Sequence, residues 1–79
     1  MLLTVYSLKG IEFNGEATSL NVKTEAGEIT VLNGHRPLIS ALRPGALKIT
    51  KLDGMMEEIN ISSGFLEMSP NNRLDILLD

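Results

Sequence analysis

The chain is predicted to fold as an all-β antiparallel sandwich or flattened barrel, and three observations predict it. Apolar residues recur at every second position in one segment after another. Turn-forming dipeptides separate those segments at short, fairly regular intervals. No stretch keeps a helical period for long enough to make a helix. Alternation marks a strand because successive side chains point to opposite faces of a sheet. The 79 residues suffice for one domain, 1–79, since a chain this short supplies apolar surface for one core only.

Taken in order, Asn14-Gly15 is the first turn signal, and Leu20 and Val22 then alternate up to Ala26-Gly27. Ile29 and Val31 form the next strand, which runs into Asn33-Gly34. In PLISALRP, Leu38, Ile39 and Leu42 suit one helical turn, but Pro44 leaves no length to propagate it, so the segment is predicted to be a strand. Pro44-Gly45 precedes the alternation of Leu47 and Ile49. Asp53-Gly54, between ALKITKL and MMEEINI, is the strongest hairpin signal and predicts a type I′ turn. Ile59 and Ile61, then Leu66 and Met68, make two further strands. A longer connection at Pro70-Asn71-Asn72 leads to a last strand carrying Leu74, Ile76 and Leu78. Eight or more short strands result, with no internal repeat or linker.

Charge and composition exclude several functions. A net charge of -3, with seven scattered basic residues, does not suit general nucleic-acid binding, which needs clustered Lys and Arg. Without cysteine there are no disulfides and no thiolate metal ligands, which fits a reducing compartment. No signal peptide is visible. The longest apolar runs fall far short of the roughly 20 residues that span a bilayer, so a soluble chain is expected, associating with a membrane only through a partner.

The residue types that carry chemistry are sparse. His35 is the only histidine, and beside Arg36 it lacks the orienting acid and spaced nucleophile that general-base catalysis needs. Zinc binding, with one His and no Cys, is not expected. Ser62-Ser63-Gly64 lacks the strand-turn-helix frame of a nucleophile elbow and reads as a turn or strand edge. Adjacent Glu57 and Glu58 point to opposite faces of a strand, so they form no paired-carboxylate site. Met55 and Met56 read as core filler in preference to an adaptable contact surface. The Glu25–Glu28 stretch is a loop between strands, and no Gly-rich phosphate cradle precedes a helix. No cofactor is expected. An acidic all-β module of this kind binds more readily than it catalyses, and the Pro-bracketed segment around His35 is its most shaped surface.

That segment carries a resemblance. Gly27-Glu28, the apolar strand Ile29 to Leu32, Gly34-His35-Arg36-Pro37-Leu38 and Pro44-Gly45-Ala46-Leu47-Lys48-Ile49 follow one another in the order and spacing of the N-terminal β-sandwich domain of the epsilon subunit of F-type ATP synthases. FNGEA (13 to 17), ISSGFLEM (61 to 68) and NNRLDILLD resemble further strands of that family, so the likeness spans nearly the whole chain. Asn33 stands where the family usually has Pro, and SLKGIEF lacks a frequent Thr-Pro.

The resemblance implies two five-stranded sheets, about ten short strands in all. It also implies a non-catalytic central-stalk subunit that grips the gamma subunit, rests on the membrane rotor ring and couples ion-driven rotation to ATP synthesis. Gamma contacts are implied at Ser7, Gly34, His35, Pro37 and Ser40, and a rotor-ring contact at Glu28, with the sheet surface supplying most of the affinity. The expected location is the cytoplasmic face of a bacterial inner membrane, as a peripheral subunit. Most family members continue into a helical hairpin that senses ATP. Nothing up to Asp79 corresponds to it, so no ATP site is carried over, and the assembled enzyme is expected to lack inhibition imposed by this subunit. The alternative reading is a free-standing sandwich that binds a small ligand or an unrelated protein, marked by a pocket of several hundred cubic ångströms between the sheets.

Overall fold

In the computed structural model, which describes residues 1–79, β1 (Leu2–Ser7) turns at Leu8-Lys9 into β2 (Gly10–Thr24). The others are β3 (Gly27–Leu32), β4 (Leu38–Leu42), β5 (Gly45–Lys51), β6 (Met56–Ile61), β7 (Gly64–Ser69) and β8 (Arg73–Leu78), with no helix. PLISALRP is the strand its flanking prolines predict.

β2 explains why eight strands stand where ten were implied. At 15 residues it is far longer than the usual 5–6, because it serves both halves of the domain. Glu16 back to Gly10 pairs with β1, while Ser19 to Thr24 pairs with β3 and Ala17 to Asn21 with β5. The pairing with β5 shifts register between Ala17 and Ser19, where Thr18 is the extra residue and donates its hydroxyl to the Thr50 carbonyl at 3.2 Å. A bulge of this kind bends a strand without breaking it. The turn predicted at Asn14-Gly15 is therefore absent. Asn14 and Gly15 pair with Thr4 and Leu3 inside the β1–β2 ladder, and a continuous partner strand outweighs the local preference of Asn-Gly for a hairpin.

One half comprises the first part of β2 with β1, β8, β7 and β4; the other comprises the second part of β2 with β3, β5 and β6. The sheet closes into a ring where Thr24 of β2 meets Leu42 of β4, helped by Glu25 N–H donating to the Ala41 carbonyl at 3.0 Å and Arg43 N–H to the Lys23 carbonyl at 2.9 Å. Neighbouring strands are antiparallel except β1 and β8.

The inward faces share one core. Leu20, Val22, Val31, Leu47, Ile49, Leu66, Met68, Leu74 and Ile76 are all buried, as their alternation predicts, and Ile29, Ile59 and Leu78 pack at its margin. Burial of this kind contributes about 25 cal/mol per Å² of apolar surface and is the main stabilising term.

The β5–β6 hairpin differs in detail from the expected type I′ turn. Gly54 has φ +86°, but Asp53 lies outside the positive-φ region. Gly54 N–H donates to the Lys51 carbonyl at 3.0 Å and Lys51 N–H to that of Met55 at 2.9 Å, which makes a three-residue loop closed by a glycine. Asp53 Oδ1 accepts from Met55 N–H at 2.9 Å. Met55 and Met56 are not core filler, since each is 62% exposed. Met55 sits at the loop, and Met56 pairs with Thr50, one residue off the buried parity of Ile49.

Candidate functional site

The segment around His35 is a preformed turn. His35 N–H donates to the Leu32 carbonyl at 3.1 Å, and Gly34 at the third position has φ +73°, the geometry of a type II turn. Asn33 takes an ordinary negative φ, so it replaces the family's Pro without changing the turn's hand. Side chains from elsewhere pin the loop. Asn72, at φ 60°, accepts from Gly34 N–H at 2.7 Å through Oδ1 and donates Nδ2 to Asn33 Oδ1 at 3.4 Å. The α-ammonium of Met1 also donates to Asn33 Oδ1. Two distant parts of the chain thus hold a loop whose residues Asn33 to Pro37 are themselves exposed.

His35 Nδ1 lies 2.7 Å from the Arg36 carbonyl; a carbonyl can only accept, so Nδ1–H is the donor in this contact. No carboxylate is hydrogen-bonded to the ring, and the arrangement offers contact rather than proton transfer. No three His, Cys, Asp or Glu side chains gather into a group that could hold a metal ion.

The other residues singled out in the sequence do not join this turn. Ser7 ends β1, whereas Met1 at the other end of that strand touches Asn33. Six residues at about 3.3 Å each put roughly 20 Å between them. The Ser7 hydroxyl donates to Glu12 Oε2 at 2.8 Å. Ser40 is half-buried on the core side of β4, opposite Leu66, with its hydroxyl donating to the Ala41 carbonyl at 3.2 Å. Glu28 is exposed at the start of β3, opposite Lys23, and the whole of β3 separates it from His35. Gly34, His35 and Pro37 form one surface; Ser7, Ser40 and Glu28 lie apart from it and from one another.

A surface cleft of about 380 Å³ lies beside Ser7, between the β1–β2 turn, the end of β6 and Asp79, lined by Lys9, Glu12, Asn60, Ser62 and Ser63 among others. Its walls come from both halves of the sandwich, Ile59 and Ile61 of β6 from one and Leu78 of β8 with Leu8 from the other. The interior away from this cleft is occupied by the core.

One feature escaped the sequence reading. On the outer face of the β2–β1–β8–β7–β4 half, Ala41, Phe65, Leu77, Tyr6 and Ile11 are successive cross-strand partners. Phe65, Leu77 and Ile11 are each more than half exposed, and Ile39 beside them is 73% exposed. The signal was present where alternation fails, in GFLEM and in ILL, whose adjacent apolar residues must occupy both faces of a strand.

Fold and surfaces together define a class: a small β-sandwich that carries a preformed turn and an exposed apolar row on its surface. Residues 1–79 match the family described as "ATP synthase, Delta/Epsilon chain, beta-sandwich domain", and the chain belongs to that family. It is 46% identical over 66 residues to the ATP synthase epsilon chain of Bordetella petrii, an alignment covering 84% of this chain and 47% of that one. The chain thus spans about half the length of this relative. A chain in the structure of the Euglena gracilis mitochondrial ATP synthase OSCP/F1/c-ring superposes with a TM-score of 0.92 at 26% identity, over 99% of this chain and 49% of that one. A chain of the Tetrahymena thermophila mitochondrial ATP synthase central stalk/c-ring superposes with a TM-score of 0.83, over 99% of this chain and 62% of that one. At 18% identity that second likeness shows the fold alone.

Proposed function

We propose that this chain acts as the β-sandwich of an epsilon-type central-stalk subunit, binding the gamma subunit and the membrane rotor ring and taking no catalytic part itself. The observation that carries the reading is the pinned His35 turn, in a chain that belongs to this family. A loop held by Asn72 and Met1 before any partner arrives loses little entropy on docking. Gly34, His35 and Pro37 are its proposed gamma contacts. Ser7 and Ser40 meet the same partner only if gamma wraps around the domain, because they sit outside the turn. Glu28 is the proposed rotor-ring contact. It is exposed, and an exposed ion pair there contributes about 0 to 1 kcal/mol, enough to tune coupling and too little to hold the assembly. Bound in this way, the domain turns with gamma and the ring, and so passes torque between ion flow and ATP synthesis. Its place is at a membrane-associated complex, on the cytoplasmic face of a bacterial inner membrane.

Calorimetric titration of the chain with the gamma subunit of the same organism tests this. The expected result is 1:1 binding, weakened at least tenfold, about 1.4 kcal/mol, by His35→Glu and left nearly unchanged by Glu28→Lys. Absence of binding by the unaltered chain overturns the reading.

A further inference from the structure

We propose that the outer face of the β2–β1–β8–β7–β4 half is the main docking surface for the stalk partner, and that Glu67 and Asp75 receive an Arg or Lys side chain from it. The inference rests on the stalk reading and adds a face and a partner chemistry to it.

The two outer faces of the sandwich differ in what they leave unsatisfied. On the β3–β2–β5–β6 half, cross-strand partners match: Lys23 lies opposite Glu28 and Lys48 opposite Glu58, with Asn21 and Thr30 as a hydrogen-bonded pair at 2.9 Å between them. Opposite charges facing each other across a ladder are favourable, and such a face, which also exposes Leu32 and Met56, is balanced in charge.

The other face is not. Beside its apolar row, Glu67 lies directly opposite Asp75, and like charges in that position destabilise a sheet. Glu67 forms no ion pair. The one cation near Asp75 is Arg73, whose Nε is 3.4 Å from Asp75 Oδ2. Asp75 Oδ1 is buried and has no hydrogen-bond partner, a state that costs a charged acceptor more than a neutral one. Phe65 and Leu77, next to the two acids on β7 and β8, are 59% and 54% exposed. An apolar surface on which two facing carboxylates have only Arg73 as a cationic neighbour fits a partner that is apolar around one basic side chain. It does not fit a second copy of this chain, because a copy of net charge -3 brings further carboxylates to a face that needs a cation.

The experiment titrates the chain with the gamma subunit of the same organism and compares Glu67→Lys, Glu58→Lys and Phe65→Gln. Glu67→Lys and Glu58→Lys change net charge equally, so a general electrostatic effect moves both. The proposal expects Glu67→Lys and Phe65→Gln each to weaken binding at least tenfold and Glu58→Lys to change it less than threefold. It also expects Glu67→Lys to raise the melting temperature of the free chain, since Lys then faces Asp75; a misfolded variant would lower it. Equal losses for the two Glu variants overturn the proposal, as does unchanged binding for Phe65→Gln. Dimerisation of the free chain that Phe65→Gln abolishes, read by sedimentation, assigns the face to a second copy and also overturns it. If the unaltered chain fails to bind gamma, the stalk reading itself falls, and this inference falls with it.

Discussion

Gly64 offers a sharp test of how closely the fold is packed. It opens β7 opposite Leu78 of β8, and a methyl group placed on it falls 2.2 Å from the Leu77 carbonyl oxygen and 3.2 Å from Leu78 Cα. Both neighbours are backbone, so no side chain can swing away. Carbon and oxygen need at least 3.0 Å, leaving β7 and β8 to part by about 0.8 Å at the end of their ladder. Overpacking of this sort costs typically 1–3 kcal/mol, and each ladder hydrogen bond weakened adds about 0.5–1.5 kcal/mol. Gly64→Ala is therefore expected to destabilise the domain by about 3 kcal/mol. For a domain of this size the melting temperature then falls by roughly 12–24 °C. Thermal and urea unfolding followed by circular dichroism measure it. Gly15→Ala is the comparison, because Gly15 also lies in a ladder, outside the positive-φ region and with the Phe13 ring in ordinary contact 3.6 Å from its Cβ position, so a change within about 0.5 kcal/mol is expected. A loss at Gly64 no larger than that at Gly15 refutes the close approach of the two strands.

Other outcomes follow from the same structure. Asn72→Ala removes the bond to Gly34 N–H and places Ala at φ 60°, with an expected loss of about 1–3 kcal/mol. Asn72→Gly keeps the backbone and loses only the side-chain bonds, so both variants are expected to speed amide exchange at Gly34, while Asn72→Ala destabilises more. Leu66→Ala, at a position 0% exposed, is expected to cost about 2–5 kcal/mol in urea unfolding. Met56→Ala, 62% exposed, is expected to stay within about 0.5 kcal/mol.

Most of the strands were legible because their inward residues alternate without interruption. Leu47-Ile49, Leu66-Met68 and Leu74-Ile76 each place two side chains on one face, and all six are buried. Where the reading failed, a local signal met a tertiary one. Asn14-Gly15 has the chemistry of a hairpin but lies inside a ladder with β1. Met55 and Met56 look like core and lie outside it, because the three-residue loop puts Met56 opposite Thr50, off the buried parity. Among the candidate contact residues, Gly34, His35 and Pro37 came together because they are neighbours in the chain. Ser7, Ser40 and Glu28 did not, since strand parity and strand ends decide where each one points.

The sequence by itself determined an all-β chain with one core and the turn at Gly34, because these depend on residue type and on spacing over a few positions. Only the tertiary structure decided that β2 bends through both halves of the sandwich, that Asn72 and Met1 lock the His35 turn, and that Phe65, Leu77 and Tyr6 align beside the Glu67–Asp75 pair. Those arrangements depend on which strand lies next to which. Pairing between strands far apart in sequence is set by packing of the whole core, and no local pattern carries that register.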